Sequence, residues 1–430
     1  MSINPAEFLF FNDSGDNSPR GWHETLAVLR EPDNSAPANE LLRVLSAFAN
    51  EFSLFGNIWQ YWLTYMLMMH ENAFSLACER KEINSGATLA RLAESDFEII
   101  RGLYTLSLEN IGRLSLMTDY RPLTDECRPN RVGRTIIALS NDLAGCSSSA
   151  EFTRRMISYY VSNGVGIFGL YKAFRISDDN KSWHLLPVTD DIDVTFDDLI
   201  GLETQKKTLK DNTEAFLNGL NANNVLLYGD SGTGKSTSVH ALMHDYYARG
   251  LRLVELSKQE RLYLSRVLAA IKKRNYHFII YLDDLSFEEN ESDYKELKAM
   301  LEGALEKRSD RVLVYATSNR RHLIRETWTD RNDMEYQNDI HRSDTMEEKL
   351  SLASRFGVTI YFSKPDPKEY LHIVRELAAR KGIEIDEKDL MDRARKWELR
   401  HGGMSGRTAS QFITWLLGEA GVEEKKLLSQ

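Results

Sequence analysis

Eight residues constrain this chain more than any others: Gly229-Asp230-Ser231-Gly232-Thr233-Gly234-Lys235-Ser236, a complete G-x-x-x-x-G-K-S. The apolar run NNVLLYG leads into it and the stretch TSVHALMHDYY leads out, so the expected context is strand, curled loop, helix. Glycines let the backbone curl so that successive N–H groups point inward at phosphate oxygens, beside a helix N-terminus. Such a loop is a cradle for a nucleotide triphosphate, with ATP and Mg²⁺ as the expected ligands. Lys235 is expected to reach the β- and γ-phosphates and the Ser236 hydroxyl to ligate Mg²⁺, with Thr237 next in the same binding segment.

The pattern around the loop fits a parallel sheet. Asn224–Tyr228, Arg252–Leu256, Phe278–Leu282, Val312–Thr317 and Val358–Phe362 read as strands. Thr237–Arg249, Leu262–Lys273, Tyr294–Lys307 and Met346–Arg355 read as the helices between them. The expected fold is α/β, a five-stranded parallel P-loop NTPase sheet covered on both faces. Beyond Pro365 the strands stop. Pro367–Lys381, Glu387–Arg400 and Gly406–Gly418 predict a small helical lid.

The part before the sheet has helical spacing in Ala38–Phe55, Ile58–Arg80, Leu89–Met117 and Glu151–Ser162. Gly164–Tyr171 is Gly-rich, yet it reads as a strand turning past a packed neighbour, because no helix start follows as a dinucleotide site requires. Trp183–Asp198 reads as an acidic linker. The expected domains are thus a mostly helical one over 1–185, an ATPase base over 186–364 and the lid over 365–430. At 430 residues, two or three domains are the ordinary expectation. Trp59, Tyr61, Trp62, Tyr65 and Met66–Met69 read as the core of the first domain, or else as a docking face for a partner.

Net charge, formally −10, argues against non-specific nucleic-acid binding without excluding a local basic patch. Ser318-Asn319-Arg320-Arg321-His322 could be a phosphate or DNA patch, and it reads first as a solvated turn. Cys78, Cys127 and Cys146 are too far apart for a metal knuckle and read as free thiols of a reducing cytoplasm. No secretory pattern opens the chain. Leu54–Met69 carries Asn57 and Gln60 and is too short to span a bilayer.

The second chemical signal is Phe278-Ile279-Ile280-Tyr281-Leu282-Asp283-Asp284, an apolar strand that ends in two acids. After a P-loop, the first acid binds Mg²⁺, often through water, and the second orients and polarises the attacking water. Asp283 and Asp284 take these roles. Asp284 has a shorter arm than the Glu usual in this class.

In this order of motifs, FDDLIGLETQKKTL, NNVLLYGDSGTGKS, FIIYLDDLSFEE, LVYATSNRRHL, EEKLSLASRFG and GMSGRTASQF, the chain resembles the AAA+ ATPases. It is most similar to a bacterial group of AAA+ ATP-binding proteins defined as a domain of unknown function. The resemblance covers about Phe174 to Leu417, and the Asp-Asp pair is also similar to the initiator and helicase-loader branch. It implies that Asn319 is the sensor-1 residue facing the attacking water or γ-phosphate. Arg355 would be an arginine finger reaching the next subunit of a homo-oligomer, and Arg407 the sensor-2 residue of the lid. Ile200 and Gly201 would pack by the adenine.

The expected function is an oligomeric ATPase that remodels or loads a protein or nucleic-acid partner, with residues 1–185 meeting that partner. The alternative is a nucleotide-switched binding module with little turnover. A metabolite kinase would not need Arg355 or the lid. The stretch Ser257–Arg261 lacks the aromatic–aliphatic–Gly triplet of threading unfoldases, so translocation through a pore is not expected.

Overall fold

The computed structural model describes residues 8–12, 19, 21–31, 34–83, 87–109, 111–122, 128–178, 183–189, 194–285, 310–319 and 355–427. The expected helix Tyr294–Lys307, most of Met346–Arg355, the run Arg320–His322 and Cys127 lie outside them. Two compact units make up the chain, Met1–Tyr171 and Lys172–Gln430. No helix among the described residues is long and apolar enough to cross a membrane.

The first unit holds α1 (Trp22–Arg30), α2 (Ser35–Glu51), α3 (Ile58–Met69), α4 (Ala73–Glu79), α5 (Thr88–Tyr104), α6 (Arg131–Ala144), α7 (Ser149–Asn163) and α8 (Gly166–Leu170). Short polar residues set several of the starts. Asn57 accepts from Gln60 N–H, Asn130 from Gly133 N–H and Ser148 from Glu151 N–H, each taking up a donor the first turn leaves unpaired. The same chemistry divides the expected helix Ile58–Arg80: Asn72 and Ser75 form a reciprocal capping box that starts α4 anew. The expected helix Leu89–Met117 ends at Tyr104, and a 3₁₀ turn follows at Leu114–Thr118. Trp59, Trp62, Phe74, Phe97, Phe152 and Tyr160 are buried. Their polar tips find partners, as Trp59 Nε1 donates to Leu103 O at 2.8 Å and Tyr160 OH to Leu67 O at 2.8 Å.

Gly164–Tyr171 is not a strand. Gly164 ends α7 with φ +82, its N–H donating to Tyr160 O, and Gly166–Leu170 then forms the single turn α8. A Cβ at Gly169 would stand 3.0 Å from the Gly164 carbonyl carbon, so the glycines serve a close turn-on-turn approach.

Among the described residues, the second unit is built on a sheet of seven strands rather than five. They are β1 (Ala173–Asp178), β2 (Trp183–Pro187), β3 (Val225–Gly229), β4 (Leu251–Leu256), β5 (His277–Leu282), β6 (Val312–Ser318) and β7 (Val358–Phe362), in the order β2-β1-β4-β5-β6-β3-β7. All neighbours are parallel except β1 and β2, which form an antiparallel pair at one edge. Those two are the strands the sequence reading placed in the helical domain and the linker. The expected boundary at 185 therefore cuts through β2, whereas the compact units part before Lys172. Their weak signal has a physical cause. A strand covered on both faces is a continuous apolar run, as in HFIIYL, but β2 at the edge alternates half-buried and exposed residues.

Three described helices accompany these strands: α9 (Glu203–Leu217), α10 (Lys235–Tyr246) and α11 (Leu264–Ile271). Leu209, Phe216, Val239, Leu242 and Met243 from α9 and α10 pack with Val225, Leu227, Ile279, Tyr281 and Tyr315 of the strands. After β7 come α12 (Pro367–Arg380), α13 (Glu387–Arg400) and α14 (Gly406–Leu427), with a core of their own around Tyr370, Val374, Leu390, Ala394 and Phe412.

Candidate functional site

β3 lies between β6 and β7, although α10 carries the chain from β3 across to β4. The C-terminal ends of strands at such a reversal of order form a crevice that no connection fills. Here the crevice is a cavity of about 790 Å³ lined by Ser231–Thr237, Asp283, Asp284, Thr317, Asn319 and Arg407, among others. Ile200 and Gly201 line it too. Gly229, Asp230 and Arg355 are not among its lining residues, and Arg355 is exposed.

The curl of the loop is sterically dictated. Gly229 has φ +134, and a Cβ there would sit 2.0 Å from Phe362 O, because the end of β7 packs directly on the loop. Asp230 N–H donates to that same carbonyl at 3.1 Å. Gly232 has φ +76, and a Cβ would lie 3.1 Å from Ser405 Oγ and 3.2 Å from Arg407 Cβ. That closeness lets Arg407 N–H donate to Gly232 O at 3.2 Å, which joins the start of α14 to the loop. Gly234 then caps α10, whose first residues are Lys235 and Ser236.

Lys235 is 7% exposed, and each of its three N–H donors has an oxygen within reach. Nζ donates to Gly229 O at 3.0 Å, Asp230 O at 2.6 Å and Asn319 Oδ1 at 3.0 Å. Burial lowers its pKa, the carboxylates of Asp230, Asp284 and Asp283 pull it back up, and Arg407 adds to the lowering. Asn319 passes the contact on, since its Nδ2 donates to Asp284 Oδ1 at 3.0 Å. Asp284 itself has φ +48 and is held by its N–H on Thr317 Oγ1 at 3.0 Å.

Asp283 accepts from Ser236 Oγ at 3.0 Å, Tyr281 OH at 2.6 Å and Thr317 Oγ1 at 2.6 Å, all on Oδ1. Desolvation pushes its pKa up, but the three hydroxyl bonds outweigh this, and the net shift is downward. The carboxylate is therefore charged at neutral pH. Ser236 and Asp283 supply oxygen donors only, a set that suits a hard cation such as Mg²⁺.

Sequence reasoning brought together every residue of this cluster except Tyr281 and Thr317. Each lies two places before a recognised residue on its strand and so faces the same side of the sheet, a signal that the strand period offered. It also missed the wall supplied by α12: Glu369, His372, Ile373 and Leu377 line the cavity at helical spacing.

A family model described as "Protein of unknown function (DUF815)" matches residues 170–420. Comparison with curated proteins finds no match. Among solved structures, a RuvB mutant from Thermotoga maritima is similar at 18% identity and a TM-score of 0.36, over 51% of this chain and 64% of that one, a little under two thirds. The FIGL-1 AAA domain in complex with ADP matches at 20% identity and a TM-score of 0.36, over 52% of this chain and 72% of that one. The replication initiator DnaA bound to AMPPCP and single-stranded DNA matches at 20% and 0.37, over 55% and 70%.

Proposed function

The chain belongs to the DUF815 family, whose model spans more than half of it, and from that premise we propose that it is an AAA+-type ATPase. In this reading it binds ATP with Mg²⁺ in the crevice, hydrolyses it, and uses the cycle to reshape an assembly of its own copies that remodels or loads a partner. The observation that carries the reading is the lysine. Its ammonium group is gathered among two loop carbonyls and the Asn319 amide, all neutral acceptors. A phosphate oxygen carries charge and makes the stronger bond, so it displaces them.

Each residue then has a task. The N–H groups of Ser231–Ser236 hold the phosphates, and Lys235 moves its charge onto the β- and γ-oxygens. Ser236 would hold Mg²⁺ directly and Asp283 through water; the metal, when bound, neutralises charge on the phosphates. Asp284 takes the proton of the attacking water, and Asn319 orients that water. Ile200 and Gly201 pack the adenine. Arg407 reports the nucleotide to the helical lid that carries it, and Arg355 acts on the site of a neighbouring copy. The first unit is proposed to meet the partner.

Equilibrium binding of a labelled adenine nucleotide, with Mg²⁺ present, tests this. Lys235→Ala is expected to lose binding and turnover, since loss of one charge-assisted contact set costs about 3 kcal/mol or more, roughly a hundredfold in affinity. A wild-type protein with no affinity for the nucleotide would sink the proposal. Binding without turnover would instead favour the switch reading, for which the short, Asn319-held arm of Asp284 is the specific support.

A further inference from the structure

We infer that Tyr281 and Thr317 are positioning residues that orient Asp283 toward the divalent cation, an inference that rests on the ATP–Mg²⁺ reading above. A carboxylate oxygen has two lone pairs, yet Asp283 Oδ1 takes three hydroxyl donors, from Ser236, Tyr281 and Thr317. That oxygen is saturated. Only Oδ2 is left to accept from the water shell of a metal held by Ser236. The carboxyl plane is thereby fixed before the metal arrives, which is what hydrogen-bonded partners behind a ligand do for metal affinity.

The two hydroxyls are themselves fixed. Thr317 Oγ1 accepts the Asp284 N–H at 3.0 Å, so its own proton is directed at Asp283. Tyr281 is fully buried, and its ring meets the His240 ring edge-on at a centroid distance of 5.8 Å and 78°. A Phe would fill the same place on β5. What the phenol adds in this position is a single donor, and that donor is spent on Asp283. Ser236 can then donate its proton to Asp283 while offering a lone pair to the cation. The sequence neighbours Asp283 and Asp284 are thus separated in role, one tied from behind by hydroxyls and the other held by Asn319.

The test is a Mg²⁺ titration of nucleotide binding, read by fluorescence of a labelled ATP analogue, in the full chain. Tyr281→Phe removes only the hydroxyl. The half-saturating Mg²⁺ concentration is expected to rise about tenfold or more, while affinity for the nucleotide in excess chelator and the thermal midpoint stay at wild-type values. Thr317→Val is expected to raise the Mg²⁺ midpoint in the same way, with a lower thermal midpoint because the Asp284 N–H loses its acceptor, and Thr317→Ser, which keeps the hydroxyl, to retain the wild-type Mg²⁺ dependence. An unchanged Mg²⁺ midpoint in Tyr281→Phe overturns the inference and leaves the ATP reading standing. If Tyr281→Phe does not fold, the Thr317→Val and Thr317→Ser pair decides in the same terms. A wild type whose nucleotide affinity ignores Mg²⁺ overturns this inference and the parent reading together.

Discussion

Asn319 is a neutral group in the crevice that both accepts and donates. Its Oδ1 takes a bond from Lys235 at 3.0 Å and its Nδ2 gives one to Asp284 at 3.0 Å. An Asp there would add a third carboxylate beside Asp283 and Asp284, and a Leu would take one acceptor from Lys235 and the amide donor from Asp284. Asn319→Ala is therefore expected to keep most of the nucleotide affinity, which the loop amides and Lys235 supply. Turnover should fall about 100-fold through loss of one preorganised donor near the reacting phosphate. Single-turnover hydrolysis beside equilibrium binding separates the two; a parallel collapse of affinity would make Asn319 a structural support of the loop instead. This residue was legible only through the resemblance in motif order, because an Asn at a strand end is by itself an ordinary turn residue. Tyr281 and Thr317 were not, because buried Tyr and Thr are ordinary strand formers and hide among them.

At the scale of elements, α12 has two occupied faces. Tyr370, Val374 and Ala378 enter the core it shares with α13 and α14, while Glu369, His372, Ile373 and Leu377 line the cavity at the strand ends. Whatever loosens the helix should loosen both. Its start is set by Asp366, which accepts from Lys368 and Glu369 N–H at 2.8 Å each, while Glu369 reaches back to Asp366 N–H at 2.9 Å. Asp366→Ala is expected to cost about 1 kcal/mol and to shrink the rise in melting temperature that nucleotide confers, both read from thermal melts with and without ligand. A mutant with lower intrinsic stability but a full nucleotide-dependent rise would uncouple the cap from the cavity. Asp366 and Asp386 cap the starts of α12 and α13, which lie where the sequence placed them. The end of α14 was not readable, because Gly418 lies inside a helix that runs to Leu427. A single glycine costs a helix only about 1 kcal/mol and is no stop by itself. β1 and β2 were missed for the opposite reason, since an antiparallel pair at a sheet edge lacks the apolar run that marked β4, β5 and β6.

At the scale of the whole molecule, the cavity as lined by one chain contains Lys235 and Arg407 but not Arg355. Arg355 stands exposed in the turn ahead of β7, whose far end packs on the loop through Phe362 O and Gly229. If its guanidinium serves a site, that site belongs to a second copy, and the two roles can then be divided between two mutants. Lys235→Ala keeps Arg355 but cannot hold ATP; Arg355→Ala holds ATP but offers its neighbour no cation. Each alone is expected to be nearly inactive, because a finger arginine contributes about 10³-fold or more to turnover. Mixed at concentrations where the protein associates, they should regain activity, since some Arg355→Ala sites will then face an intact Arg355. The regained rate should rise with total protein and vanish on dilution, as expected of a site completed by association. A mixture no more active than the sum of its parts, while each mutant still assembles, would confine catalysis to the single chain.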